Sequence, residues 1–375
     1  MNRLLCAALA LGAGLSGAAR GEDGVTATEV RLGQSAPLTG PFAALGTANR
    51  DGALLYLEHV NGQGGVHGRR IVLTSLDDGY DAARAEANAI RLVREDRSFA
   101  LFSVNGTPTA LKALAVAERD GVPFLFPFSG AAVLRKPSRL AFHVRASYAE
   151  EMTRLVEQAA GNGAKRLAVA YLDNAFGKEG LAAAERALAG YGLKPVATAP
   201  LDPAQPDLQG AAKQIAAGQP ETILVSSAGA SVPGFIDAYQ KQGHFAQFYC
   251  LSVVNNEHLV KVLGERAHGI VVAQVVPFPW DKREAITREY HALLAAKGDR
   301  PSFPHLEGYV SAKVLVEGLR RAGPKLTRAG LLAALEEMRA VDLGGVVVTF
   351  SRQDHNNATA LVDLTIVGRS GQFVR

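Results

Sequence analysis

The sequence predicts an α/β protein made of two doubly wound, three-layer α/β lobes joined by a hinge that the chain crosses more than once. Three observations carry this reading. At 375 residues the chain exceeds what one hydrophobic core usually organises. Short apolar runs alternate with segments of helical period, the pattern of parallel βαβ units. No Gly/Ser-rich or Pro-rich linker separates the two series of such units, so several parallel crossings, not a flexible tether, must join the halves.

Taken in order, Val30–Ala36 (VRLGQSA) is expected as a strand running into the turn Pro37–Gly46 (PLTGPFAALG). Ala53, Leu57 and Val60 then share one helical face, and Asn61-Gly62 ends that helix. Strands at Ile71–Leu76, Phe99–Val104 and Val122–Phe126 alternate with helices striped by Ala85, Ala89, Leu92 and Val93 and spanning Pro108–Arg119. A second series follows Leu140–Arg145, opening with a helix marked by Met152, Leu155, Val156 and Ala159. Its strands are expected at Arg166–Leu172, Pro195–Ala199, Thr222–Ser226, Gln247–Leu251 and Ile270–Val276. Two helical segments, Arg283–Ala296 and His305–Arg321, precede short antiparallel strands at Val346–Phe350, Ala360–Val367 and Gln372–Val374. The expected crossings are His143–Ala146, Gln274–Pro277 and Leu343–Val346. They divide the chain into one lobe of 22–143 plus 275–343 and another of 144–274 plus 344–375.

Composition narrows the function. With 48% hydrophobic and 20% charged residues the chain is an ordinary globular protein. Its net charge of +4 comes from scattered basic residues, so no nucleic-acid surface is indicated. Met1–Gly21 reads as a secretory signal, with Arg3 as the basic region and Leu4–Leu15 as an apolar core too short to span a bilayer. Cleavage after Gly21 removes Cys6 and leaves Cys250 as the only thiol, so no disulfide forms within one mature chain. Later stretches hold no span of roughly 18 apolar residues, and an exported protein is expected.

Enzyme signatures are absent. Gly62–Gly68 (GQGGVHG) follows a helix and precedes a strand, the reverse of a nucleotide loop. Ser129 lies outside a G-x-S-x-G elbow, and the nine histidines lack metal-ligand spacing, so no cofactor or metal is called for. Asp77 and Asp78 are neighbours on one strand end and face opposite ways, which does not suit an acid/base pair.

In parallel sheets, ligands bind beyond the carboxyl ends of the strands, where helix N-termini offer free N–H groups. That rule selects Asn105-Gly106-Thr107-Pro108, with Thr107 as N-cap, and Phe128-Ser129-Gly130-Ala131. It also selects Asp173–Gly177, carrying Phe176, and Ser226–Gly229 and Ser252 in the second series. Thr107 and Ser129 are equally read as a plain cap and turn, and Phe176 as core. Arg145 and Tyr148 follow the first crossing, where Arg145 suits a carboxylate by bidentate pairing. Trp280, the only tryptophan, stacks on a ligand or packs the hinge. Glu307 reads as a first-turn carboxylate favoured by its helix dipole or, like Asp173 and Glu257, as an acid available to a ligand's ammonium.

The order and spacing of six stretches resemble the leucine/isoleucine/valine-binding family of periplasmic substrate-binding proteins of ABC importers, which have the type I fold. The stretches are Arg31–Gly46, Val60–Arg70, Leu76–Asp81, Gly121–Gly130, Ala168–Gly180 and Gly269–Pro277. The resemblance implies a solute receptor that closes over a small organic solute, an amino acid or related carboxylate or amide, and delivers it to permease subunits in the inner membrane. It implies a monomer acting without cofactor. A periplasmic sensing protein of the same fold, signalling to a membrane receptor, is the alternative. The resemblance further implies a pocket wall at Phe42, Ala44 and Leu45, carboxylate contacts at Gly106, Thr107, Ser129 and Ala131, and closure by Phe176, where relatives often hold a tyrosine. Ser252 stands where amino-acid binders usually place the acid that accepts the ligand's ammonium, and Ala228 or Gly229 replaces an aromatic. A roomier pocket, less suited to a zwitterion, is implied.

Overall fold

The computed structural model describes residues 22–136, 138–203, 207–254 and 256–375; the expected signal segment lies outside the described residues. The first sheet contains β1 (Glu29–Ala36), β2 (Arg70–Asp77), β3 (Ala100–Phe102), β4 (Phe124–Leu125) and β5 (Ala141–Phe142). All its pairings are parallel, in the order β2-β1-β3-β4-β5. Three helices connect these strands: α1 (Ala43–Gly62), α2 (Ala82–Ile90) and α3 (Thr107–Asp120). The turn expected at Pro37–Gly46 is thus half helix, because α1 starts directly after Phe42.

The chain then enters the second sheet through α4 (Tyr148–Gly161), whose start is a capping box. The Ser147 side chain accepts from the Glu150 N–H, and the Glu150 carboxylate accepts from the Ser147 N–H. The following elements are β6 (Leu167–Leu172), α5 (Ala175–Ala189), β7 (Thr198–Leu201), α6 (Leu208–Ala217) and β8 (Thr222–Ser226). Next come α7 (Ser231–Lys241), β9 (Gln247–Cys250), α8 (Asn256–Leu263) and β10 (Val271–Gln274). In β6 (LAVAYL) all residues but Tyr171 are fully buried, as expected of a strand covered on both faces. The strand expected at Pro195–Ala199 runs instead over Thr198–Leu201, since inward-facing Ala199 and Leu201 set its register.

Helices α9 (Ala285–Lys297), α10 (Phe303–Ala322) and α11 (Arg328–Glu336) follow, then the antiparallel pair β11 (Val341–Asp342) and β12 (Val347–Val348). Finally β13 (Asp363–Val367) and β14 (Phe373–Val374) join the second sheet antiparallel, giving the order β14-β13-β10-β9-β8-β6-β7. The segment Leu343–Val346, expected as a crossing, is the turn of the β11–β12 hairpin. The chain beyond it still packs on the first sheet, with Phe350 against Phe126 and Phe142 and His355 stacked on Phe142.

Although it comes late in the chain, α10 lies against α1 of the first sheet at almost backbone contact. A Cβ added to Gly52 would fall 1.7 Å from the His305 carbonyl oxygen, and one added to Gly308 would fall 1.9 Å from that of Asn49. Only hydrogen fits at either position. Gly308→Ala therefore forces the two helices apart and is expected to destabilise the protein by about 2–3 kcal/mol, read as a lower urea midpoint at unchanged slope. An unchanged midpoint would contradict this account of the contact.

Candidate ligand-binding site

Strand order fixes where the site forms. In the first sheet β1 lies between β2 and β3, and in the second β6 lies between β7 and β8. At each switch the neighbouring connections depart to opposite faces and leave a crevice at the carboxyl ends. The loops following β1, β3, β6 and β8 meet there and enclose a cavity of about 30 Å³. Phe42, Leu45, Gly106 and Thr107 line it from the first half, and Tyr148, Phe176 and Ala228 from α4 and the second. Sequence reasoning placed these residues at the site. It missed Pro37, Tyr80, Asn105, Phe128 and Val253, which also line the cavity. Asn105 and Phe128 lie in loops already selected. Tyr80 ends the stretch after β2 and was detectable only as an aromatic at a strand's carboxyl end.

Aromatic rings form most of the wall. Phe42 and Tyr80 stack with centroids 4.0 Å apart, and Tyr148 meets Phe176 edge-on at 4.8 Å. No charged residue is among those lining this cavity. Its polar groups are backbone, hydroxyls and the Asn105 amide. Thr107 Oγ1 lies 2.9 Å from Ser129 Oγ, and Ser129 Oγ accepts from the Ala131 N–H at 3.3 Å. Ser129 and Ala131 thus stand behind Thr107 and are absent from the cavity lining. The cap of α3 is Gly106, at φ +84°, and not Thr107, whose hydroxyl is turned to Ser129. A Cβ at Gly106 would fall 2.5 Å from the Tyr80 ring.

The two halves touch around the cavity. Tyr80 hydrogen-bonds with the Asn174 side chain, which also caps α5 by accepting from the Gly177 N–H at 3.1 Å. The Ala132 N–H donates to Glu179 Oε1, and a Cβ at Gly229 would meet Phe42 and the Pro41 carbonyl at 2.8 Å. Asp78, which holds the Tyr80 N–H at 2.8 Å and the Ser35 hydroxyl at 2.6 Å, is pushed up to about 6 by burial despite those hydrogen bonds. Its neighbour Asp77 faces Thr39 and Arg84 instead, so the two carboxylates do not form a pair.

Beneath the aromatic floor lies Arg145. Its guanidinium sits 5.4 Å from the Phe128 centroid and 5.3 Å from that of Tyr148. It is not free for a ligand carboxylate, contrary to the sequence reading. Nη2 reaches Glu151 Oε1 at 2.8 Å and also donates to Ser252 Oγ, while Nη1 reaches Glu307 Oε1 at 3.2 Å. Ser252 is likewise committed, donating its N–H to Glu151 Oε2 at 2.8 Å, and it does not line the cavity. Glu307 is no first-turn carboxylate but the buried partner of Arg145. Glu151, which sequence reasoning overlooked, lies on the apolar face of α4 beside Met152 and Leu155, and an acid on such a stripe is itself a signal. Burial raises Glu307 to about 7, with Arg145 pulling it down and Glu151 pushing it up. Burial lowers Arg145 as well, but Glu307, Tyr148 and Glu151 more than reverse this and keep it charged.

Trp280 belongs elsewhere. It packs among Phe278, Phe303 and Phe373, 39% exposed, over a separate depression near the end of the chain. Packing against three neighbouring rings accounts for its position.

Two α/β sheets, one parallel and one parallel but for its last two strands, facing each other across a crevice at their strand ends define a two-lobed solute-binding protein with the type I periplasmic architecture. The periplasmic binding protein family matches residues 29–369, and the chain belongs to that family. A solved substrate-binding periplasmic protein from Ralstonia solanacearum is 31% identical, with a TM-score of 0.86 over 92% of this chain and 99% of its own. Leu/Ile/Val-binding protein homolog 3 of Brucella melitensis biotype 1 is 23% identical over 86% of this chain and 87% of its own length. Leu/Ile/Val-binding protein homolog 7 of Brucella suis biovar 1 is 32% identical over 117 residues, so the match spans only 28% of that relative and 31% of this chain. These relatives are solute-binding proteins and not enzymes. No helix among the described residues is long and apolar enough to cross a membrane.

The raised Glu307 has a consequence for stability. A carboxyl of ordinary value 4.5 held at about 7 in the fold adds stability below the lower value and loses it as pH rises through the upper. Glu307→Gln should therefore flatten the fall in melting temperature between mildly acid and mildly alkaline buffer. A variant whose pH profile parallels the parent's would show that Glu307 is not the responsible group.

Proposed function

We propose that this protein is the periplasmic receptor of an ABC importer, and that its solute is a small monocarboxylate or amide with an apolar or aromatic body. One observation carries the choice of solute: the cavity between the halves is walled by aromatic rings and hydroxyls, and none of its lining residues is acidic. An ammonium buried there lacks the charge-assisted partner it needs, a loss of about 1.5–3 kcal/mol. A carboxylate or amide instead meets the Thr107 hydroxyl and the Gly106 backbone at the start of α3, where helix N–H groups favour negative charge. The Arg145 cation behind Phe128 and Tyr148 adds positive potential from below.

A cavity of about 30 Å³ holds roughly two water molecules, so a larger solute enters only as the halves separate. Contacts from both halves then favour closure in proportion to their difference between open and closed states, and a permease reads the closed form.

Matched pairs test the reading by thermal shift: leucine against 4-methylpentanoate, and phenylalanine against 3-phenylpropanoate. The acids should raise the melting temperature more than the corresponding amino acids, since a ligand binding only the native state stabilises it by RT ln(1 + [L]/Kd). Thr107→Val should weaken the acid's affinity on the order of tenfold. Larger shifts with the amino acids would overturn the solute class, and no shift with any carboxylate or amide would overturn the receptor reading.

A further inference from the structure

A second cavity, much larger than that of the cleft, lies on the other side of Arg145. Its volume is about 440 Å³, within the ordinary range of small-molecule pockets, and it shares no lining residue with the cleft cavity. Its walls come from Val144-Arg145 after β5, Val275–Pro277 after β10, Gly345–Val347 at the β11–β12 turn, and Asn357 and Thr359–Val362 beyond β12, with Glu307, Val310 and Ser311 of α10 on the remaining side. Valine is the commonest lining residue, and Arg145, Glu307, Ser311, Asn357 and Thr359 are the polar members.

The polar groups present are unevenly matched. One guanidinium, Arg145, faces two carboxylates. Glu151 has both oxygens occupied, Oε1 by Arg145 and the Ser252 hydroxyl and Oε2 by the Ser252 N–H. Glu307 accepts only through Oε1, and its Oε2 makes no hydrogen bond among the described residues. Its side chain is 10% exposed, and the cavity is what that exposed part faces. Ser311, one helical turn further along α10, lines the same wall and is also 5% exposed. Asn357, by contrast, is already engaged with the Val144 carbonyl and the Thr349 N–H.

We infer that this hinge cavity is a second binding site, for a small primary ammonium with a short branched apolar body, held by Glu307 Oε2 and the Ser311 hydroxyl with its carbon atoms against Val276 and Val310. The ammonium supplies the missing second cation of the Glu151–Arg145–Glu307 group and fills the carboxylate's open acceptor position, while the apolar body displaces water from valine. The inference is independent of what the cleft binds. The charged groups acting on Glu307 are Arg145 and Glu151. The nearby buried Arg135 is tied to the Arg145 carbonyl and Asn356 Oδ1, and burial and then Arg145 lower it. Ionised Glu307 is the binding form, so affinity should rise with pH through about 7.

Calorimetric titration with isobutylammonium on either side of that pH tests the site. Binding is expected on the alkaline side and should be roughly tenfold weaker or less on the acid side and in Glu307→Gln. Ala360→Trp, at a half-buried position on the cavity wall, should abolish it by filling the space, while Phe42→Ala in the cleft should leave it unchanged. The inference fails if the parent gives no heat at millimolar amine or if Glu307→Gln binds equally well. It also fails if Phe42→Ala loses binding that Ala360→Trp retains, which would put the amine in the cleft.

Discussion

A buried guanidinium organises the centre of this molecule. Charges removed from water need charged or hydrogen-bonding partners, and breaking such a group leaves an uncompensated charge that costs about 3–5 kcal/mol. Arg145 follows β5 of the first sheet, Glu151 lies on α4, Ser252 follows β9 and Glu307 lies on α10. Satisfying one side chain therefore brings three distant stretches of chain, residues 145–151, Ser252 and Glu307, to a single point. The Phe128 and Tyr148 rings rest over that cation, so the floor of the cleft takes its position from an ion-pair group it does not itself expose.

The rest of the site follows from sheet topology. Parallel strands deliver their loops to one edge, and the two reversals of strand order open the crevice where those loops meet. Small residues then govern how near the halves approach: Gly106 admits the Tyr80 ring, and Gly229 admits Phe42. A larger side chain at position 229 would not fit beside Phe42 in this arrangement, so the glycine goes with close apposition of the halves.

Alternating strand and helix patterns made the α/β architecture and most strand positions readable before any coordinates, because burial on both faces leaves uninterrupted apolar runs such as LAVAYL in β6. The loops carrying Phe42, Thr107 and Phe176 were readable too, since strand-to-helix turns are marked by glycine, proline and hydroxyl residues. What escaped was pairing over long sequence distance. Neither the pairing of Arg145 with Glu307 nor that of Ser252 with Glu151 leaves a local trace, so Arg145 and Ser252 were taken for ligand contacts, Glu307 for a helix-end charge, and Glu151 was overlooked. Trp280 was ambiguous for the same reason: its partners, Phe303 and Phe373, are distant in the chain. The returning segment was misplaced because Gly344-Gly345 marks a turn without saying which sheet the flanking residues join.

The late arrival of α10 also sets an order in time. The first sheet and α1 are complete by residue 142, yet the helix that seals α1 spans Phe303–Ala322. A ribosome thus emits the entire second parallel series, β6 through β10, before the first half can close over its own interior. Until then the leading half remains a partly open layer with the α1 surface around Gly52 uncovered, and it reaches its final form only when the far end of the polypeptide returns to it.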